Sequence, residues 1–278
     1  MKIYMKQGWQ LAVKHFHLII LLFLYQLLWG FFLYRFIDSV VSPLLRRFPA
    51  DYPSDTAVHL FLTEAQFQLL KTDILMPYVW MLGGLFVIRM LLTPLFNAGL
   101  FYSLHHSSTR SGGATGGGGT KFIEGIRKAW KPVMFLYWLE AVLVLAPAWW
   151  VLPHTLEAYL QGDSTADLLQ AVLPGAGLWL LWGSLLHLLF LAMQLGAASN
   201  EGILHSLWRA LRHIVSYAAI SLVMWAIGAG LGLLITSVSL LWAGLFALVL
   251  HQGYNLVRTL VRVWTIASQY ECLQSQSK

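Results

Sequence analysis

The sequence predicts an all-α polytopic membrane protein: six transmembrane helices arranged as three helical hairpins, with both termini cytoplasmic. Three observations lead there. First, 58% of the 278 residues are hydrophobic and only 11% charged, with a mean hydropathy of +0.65, whereas a soluble domain carries about a quarter charged. Second, six apolar runs reach the length of about 20 residues that a helix needs to cross a hydrocarbon core of roughly 30 Å. Third, the Lys and Arg between the runs fall mostly on one side.

The runs lie at about 18–41, 74–96, 132–152, 172–196, 214–236 and 239–263. All read as helices, because a lipid-facing backbone must satisfy its own hydrogen bonds and no run alternates like a barrel strand. The first follows Lys2, Lys6 and Lys14 as a secretory signal would. It is too long for a signal's apolar region and no small-x-small site follows it, so it reads as a retained anchor. Further along, Arg110, Lys121, Arg127, Lys128 and Lys131 separate the second and third runs, Arg209 and Arg212 the fourth and fifth, and Arg258, Arg262 and Lys278 close the chain. The other side has Arg46, Arg47 and Lys71, and "PHTLEAYLQGDSTADLLQ" has no base. The positive-inside bias therefore puts both termini in the cytoplasm of a cell-membrane protein. It also accounts for a pI near 9.5, and no basic patch with interleaved aromatics suggests nucleic acid. Cys272 is the one cysteine, so an intramolecular disulfide is excluded and an inert thiol is the simplest reading.

A short repeat marks the inner entrance of each odd-numbered run: "GWQLAVKHF" from Gly8, "GIRKAWKPV" from Gly125 and "SLWRALRHI" from Ser206. Each has a small residue, Ala four positions later (Ala12, Ala129, Ala210), a base (Lys14, Lys131, Arg212), then His or Pro. This spacing predicts a short amphipathic helix on the membrane surface that turns into the span. The plainer alternative is that inner flanks commonly combine bases with Trp and Leu.

Between the first two hairpins, "HHSSTRSGGATGGGGTK" (105–121) reads as a flexible Gly/Ser-rich linker. It lacks the order Gly-Lys-Ser/Thr after a strand that a phosphate loop needs. On the outer side, residues 54–71 place Val58, Phe61, Leu62, Ala65 and Leu69 on one helical face, predicting an interfacial amphipathic helix. Ser164 and Asp167 have capping-box spacing in the second outer loop.

Three stretches, "TPLFNAGLFYSL", "FIEGIRKAWK" and "EGILHSLWRALRH", give the chain a family likeness. It resembles a loose group of bacterial six-helix integral membrane proteins of unknown function, related to the membrane domain attached to some glycerophosphodiester phosphodiesterases. The resemblance implies an architecture; it brings no catalytic residues, and the phosphodiesterase domain is absent.

A charge at the centre of a membrane helix costs about 2.5–3.5 kcal/mol, so such a residue points to a partner or a function. Arg35 and Asp38 lie near the outer interface, where they pair or snorkel. Arg89 and Glu140 lie deeper, each roughly 10–12 Å from the inner ends of consecutive runs, and are expected to face each other as an ion pair. At the same depth the other runs carry Gln26, His187, Ser221 and Asn255, one polar side chain each. This polar layer is either glue between helices, the favoured reading, or a transport site.

Enzyme chemistry finds little support. Glu140 is the one acid well inside, so paired carboxylates are lacking; His187 and His251 stand on separate helices, and no His-Glu-x-x-His or Gly-x-Ser-x-Gly motif occurs. No cofactor or metal is implied. The expectation is a non-enzymatic accessory or assembly factor whose surroundings are the bilayer and protein partners in the membrane. Gly228 and Gly232 supply a Gly-x-x-x-Gly packing face, read as internal to the monomer. A small transporter or channel around Arg89 and Glu140 is the alternative.

Overall fold

Each long apolar run of the sequence falls mainly on helix, as a backbone in lipid requires. A computed structural model describes residues 2–45, 75–109, 118–151, 153, 165–241 and 245–275. Among them the regular elements are all helices: α1 (Lys2–Lys14), α2 (Phe16–Leu45), α3 (Leu75–Thr109), α4 (Gly118–Leu145), α5 (Thr165–Ser199), α6 (Ile203–Arg212), α7 (Ile214–Leu241) and α8 (Leu245–Ser275). Among the described residues, five segments are long and apolar enough to cross a membrane: Phe16–Ser39, Val79–His106, Lys121–Val151, Val172–Ser199 and Ile214–Ser239. The sixth expected span falls on α8, which is not among these five. It is a 31-residue helix in which Gln252, Asn255, Arg258 and Arg262 interrupt the apolar run.

The chain divides into two compact units, one of Met1–Ile20 with Pro94–Lys278 and the other of Leu21–Thr93. In the smaller unit Tyr25 of α2 and Thr93 of α3 share a 3.0 Å hydroxyl hydrogen bond. Trp29 stands edge-on to Tyr25, and most of the apolar side chains are exposed. In the larger unit, burial concentrates toward the C-terminal ends of α3, α5 and α8 and the N-terminal end of α4. Ala98, Leu100, Phe101 and Leu104 of α3, Ala192 and Leu195 of α5, and Ala267 and Ser268 of α8 are buried, whereas Leu180, Leu181, Trp225 and Leu233 are exposed. Helices of 35 residues such as α3 and α5 extend about 52 Å at 1.5 Å per residue, well beyond a roughly 30 Å core. Their inner overhang is where protein packs on protein.

That packing uses the repeat. Ala12, Ala129 and Ala210 are all buried, and the small residue four positions before each one sits where helix backbones nearly touch. A Cβ on Gly8 of α1 would collide with the backbone of Ser268 on α8, at 2.6 Å from its nitrogen. A Cβ on Gly125 of α4 would lie 2.5 Å from the Tyr102 Cβ on α3, and one on Gly196 of α5 would overlap Ser206 of α6. Each repeat segment thus docks on the end of another helix, α4 on α3, α6 on α5 and α1 on α8.

The third copy shows how the local sequence builds this geometry. Asn200 takes a left-handed φ of 63° after α5, and the Glu201 amide donates back to Gly196 (3.2 Å), the Schellman pattern that ends a helix. Gly202, at φ 90°, then redirects the chain into α6, and Arg209 grips Glu201 at 3.0 Å.

Two expectations are corrected. The chain breaks between the surface helix and the span at His15 and His213, but at the equivalent Pro132 it does not, and α4 runs on through the proline. Proline forfeits one backbone hydrogen bond without forcing a stop when neighbouring helices hold the segment. Likewise α3 and α4 reach into the 105–121 stretch as far as Thr109 and from Gly118, and α5 starts at Thr165 and absorbs the "TADLLQAVL" segment. The expected outer helix at 54–71 and the Ser164 cap lie outside the described residues. The Gly228 and Gly232 face packs within the monomer: Tyr254 of α8 donates to the Gly228 carbonyl at 3.3 Å, and its hydroxyl would meet a Cβ on Gly232 at 2.7 Å.

The close approach is tested with paired glycine substitutions. Gly8→Ala should lower the thermal midpoint in detergent, with about 1–3 kcal/mol lost to overpacking. Gly230→Ala, where the new Cβ has open space, should be neutral or should stabilise by about 0.5–1 kcal/mol through helix propensity.

Candidate functional site

Glu140 lies on the face that α4 turns to α5. Leu136, Leu186 and Phe190 form a buried cluster there, with Leu143, Val144 and Met193 packed around it. Inside this apolar seam the Glu140 carboxylate accepts two hydrogen bonds from α5. The His187 Nδ1 lies 2.7 Å from Oε1, and Gln194 Nε2 donates to Oε2 at 3.0 Å. Glu140 keeps 12% of its side chain exposed and Gln194 is buried, whereas His187 leaves 63% of its side chain open. The trio therefore runs from a buried amide through a carboxylate to an imidazole on the surface of its unit.

Nearer the outer end, the last carbonyls of α4 have no intrahelical donor, because the helix stops at Leu145 and Pro147 has no N–H. Trp179 and Trp182, one helical turn apart on α5, supply the missing donors to Val144 (2.7 Å) and Leu143 (3.1 Å). Between them, the two indoles and the Glu140 trio join α4 to α5 along much of their shared length.

The expected polar layer is thus partly assembled. Glu140 and His187 meet. Ser221 on α7 accepts a short hydrogen bond from Gln269 of α8 and donates to the Tyr217 carbonyl at 3.2 Å. The α8 residue level with Ser221 is Gln269, not Asn255, which lies about 21 Å away along the helix; the Asn255 carbonyl instead accepts from Thr259 at 2.8 Å. Gln26, half-buried on α2, and Arg89, exposed on α3, belong to the smaller unit. There the Arg89 carbonyl accepts from Thr93 at 2.7 Å. Gln194, Gln269 and the two tryptophans escaped the sequence reading. The signal for the indoles was present: a helix-ending proline, followed on the next helix by Trp residues three apart.

At the inner ends a second polar set is buried among the small-residue crossings. His15, at the α1–α2 corner, lies 3.5 Å from the Ser103 hydroxyl, and the Tyr270 hydroxyl lies 2.8 Å from His105 Nδ1. Burial, then Glu201 and Glu271, push the Tyr270 hydroxyl above its ordinary range, so it stays protonated beside the imidazole. Burial first, then the neighbouring His17 and Lys14, lower the pKa of His15 to about 4, leaving it neutral at pH 7.

Chemically, the Glu140 trio offers one carboxylate held by an amide, with an imidazole at its open side. Among the described residues no group of three or more His, Cys, Asp or Glu is placed to hold a metal ion. What fold and site define is an all-helical protein with membrane-length helices and hydrogen-bonded polar pairs between them. Comparison with protein-family models, with curated proteins and with solved structures found no match.

Two outcomes follow from this geometry. Glu140→Leu strands the buried Gln194 amide and should cost about 1–3 kcal/mol. Glu140→Gln, which can hydrogen-bond both neighbours, should keep most of the stability in the same thermal assay. For His15, the folded-state pKa lies below the ordinary 6.5, so the unfolded chain binds the proton more tightly. Stability should therefore be full above about pH 6.5 and fall as the pH drops toward 4. Unfolding midpoints across that window should show the fall, and His15→Gln should flatten it.

Proposed function

We propose that the protein is a non-enzymatic, multi-pass cell-membrane protein that serves as an accessory or assembly factor, with six spans in three hairpins and both termini cytoplasmic. The observation that carries this reading is the way polar groups within the apolar helices are used. Glu140, Trp179 and Trp182 spend their hydrogen bonds joining α4 to α5, and Ser221 and Tyr254 do so between α7 and α8. Polar side chains committed in this way hold a scaffold together. The exposed apolar surfaces of the spans are suited to lipid and to partner helices. The distribution of Lys and Arg supports the proposed orientation, and the resemblance to bacterial six-helix membrane proteins adds to the architectural part.

One observation favours a second reading, a small transporter or channel using Glu140. His187 holds the carboxylate yet is itself largely exposed, leaving a titratable pair with one open side. Arg89 enters this reading as the proposed counter-charge.

Both readings are open to test. Cysteines introduced at Ser107 and Gln276 should label from the cytoplasm and one at Ser164 from outside, against a quiet background because Cys272 is buried. Labelling of Ser164→Cys only from within would overturn the topology. Glu140→Gln separates the functions: a scaffold should keep its phenotype in this folded variant, and a transporter using the carboxylate should lose it. Should Arg89 pair with Glu140, Arg89→Leu and Glu140→Leu will show a coupling of about 0.5–3 kcal/mol in a double-mutant cycle; additive losses would remove Arg89 from the site.

A further inference from the structure

Lys14, Lys131 and Arg212 occupy one register of the repeat, two residues after the buried alanine. All three are exposed, and none joins an ion pair among the described residues. The acids on the same surface segments are already neutralised. Glu124 is held by Lys121 and Lys128 and Glu201 by Arg209, and α1 contains no acid. Each of the three segments thus carries a base with no ion-paired acid among the described residues.

At α6 the surroundings extend this into a site. Ser206 and Ala210 face the protein, while Leu204, Trp208, Leu211 and, beyond the break at His213, Val215 are exposed. Trp208, Leu211 and Arg212 line an open hollow of about 370 Å³. A guanidinium presents a donor fork suited to a phosphate, and an indole settles at headgroup depth. The exposed Leu and Val beside them offer the apolar surface an acyl chain needs.

We infer that this face of α6 holds an anionic phospholipid of the inner leaflet, with its phosphate on Arg212 and an acyl chain along Trp208, Leu211 and Val215. Lys14 and Lys131 mark weaker equivalents. A Lys offers a point charge in place of the fork, and Lys131 already lies 5.8 Å from the Trp130 ring centre. The inference rests on the membrane reading above.

The test uses the full chain in nanodiscs of mixed phosphatidylglycerol and phosphatidylcholine, with retained lipid counted by native mass spectrometry. The protein should retain phosphatidylglycerol preferentially. Arg212→Gln should lower that preference about fivefold, the share of one base near the surface, and Arg212→Lys should restore most of it. Equal preference in the parent and Arg212→Gln, with both folded by circular dichroism, would overturn the proposal. So would displacement of the lipid by millimolar inorganic phosphate at constant ionic strength, which would make the ligand a free anion. Failure of the chain to enter nanodiscs at all would instead sink the membrane reading.

Discussion

The larger unit depends on close approach between helices at a few small residues. Apolar side chains gain little by leaving lipid for one another, so helices in a bilayer associate through close dispersion contacts and hydrogen bonds. Gly8 against Ser268, Gly125 against Tyr102 and Gly196 against Ser206 supply such contacts at the inner ends. Others build on them. With α1 held against α8, the Trp264 indole reaches the Met5 carbonyl at 2.8 Å and Trp9 stands edge-on to Trp264 with ring centres 4.9 Å apart. The same crossing lets Ile220, Met224, Val261 and Cys272 cluster beneath Tyr4 and Met5. A methyl group at Gly8 faces backbone, which cannot rotate away as a side-chain tip can.

Where the helices leave this inner layer, hydrogen bonds take over from close packing. The α4–α5 seam shows the logic. A helix that ends inside an apolar region leaves carbonyls that need donors, and the indoles of Trp179 and Trp182 provide them without introducing a charge. Glu140 is the exception, a charged group admitted because two donors of α5 converge on it. One interface thus combines repair of a helix end with accommodation of a carboxylate.

Much of this architecture was legible in the sequence, because the signals are local. A run of twenty apolar residues forms a helix whatever surrounds it, and the small-x-x-x-Ala pattern from Gly8, Gly125 and Ser206 marked the surface segments before any neighbour was known. Relative register was not legible. α8 was expected to end near residue 263, since Arg258 and Arg262 look like the edge of a span, yet the helix continues through Ser275 and buries Ser268, Gln269 and Tyr270 against its neighbours. The α8 residue beside Ser221 is accordingly Gln269, fourteen positions beyond Asn255, which was expected there. Pro132 misled for a related reason: proline weighs against helix in a peptide, but here the chain on both sides is held by packing. Glu140 and His187 met as their depths suggested, whereas Gln194 looked like an ordinary polar residue until its helix was placed.

The docking of α1 on α8 has a consequence for the birth of the chain. Among the described helices, α1 is made before the others, yet its main contact surface is on α8, which is made after them. At translation rates of about 5–20 residues per second, the Gly8 face waits roughly 13 to 50 s before Ser268 exists to cover it. Through that interval α1 must rest on something else, and its apolar stripe and three lysines allow the membrane surface itself to serve. α1 is thus parked at the interface and joins this part of the fold only once α8 has been made.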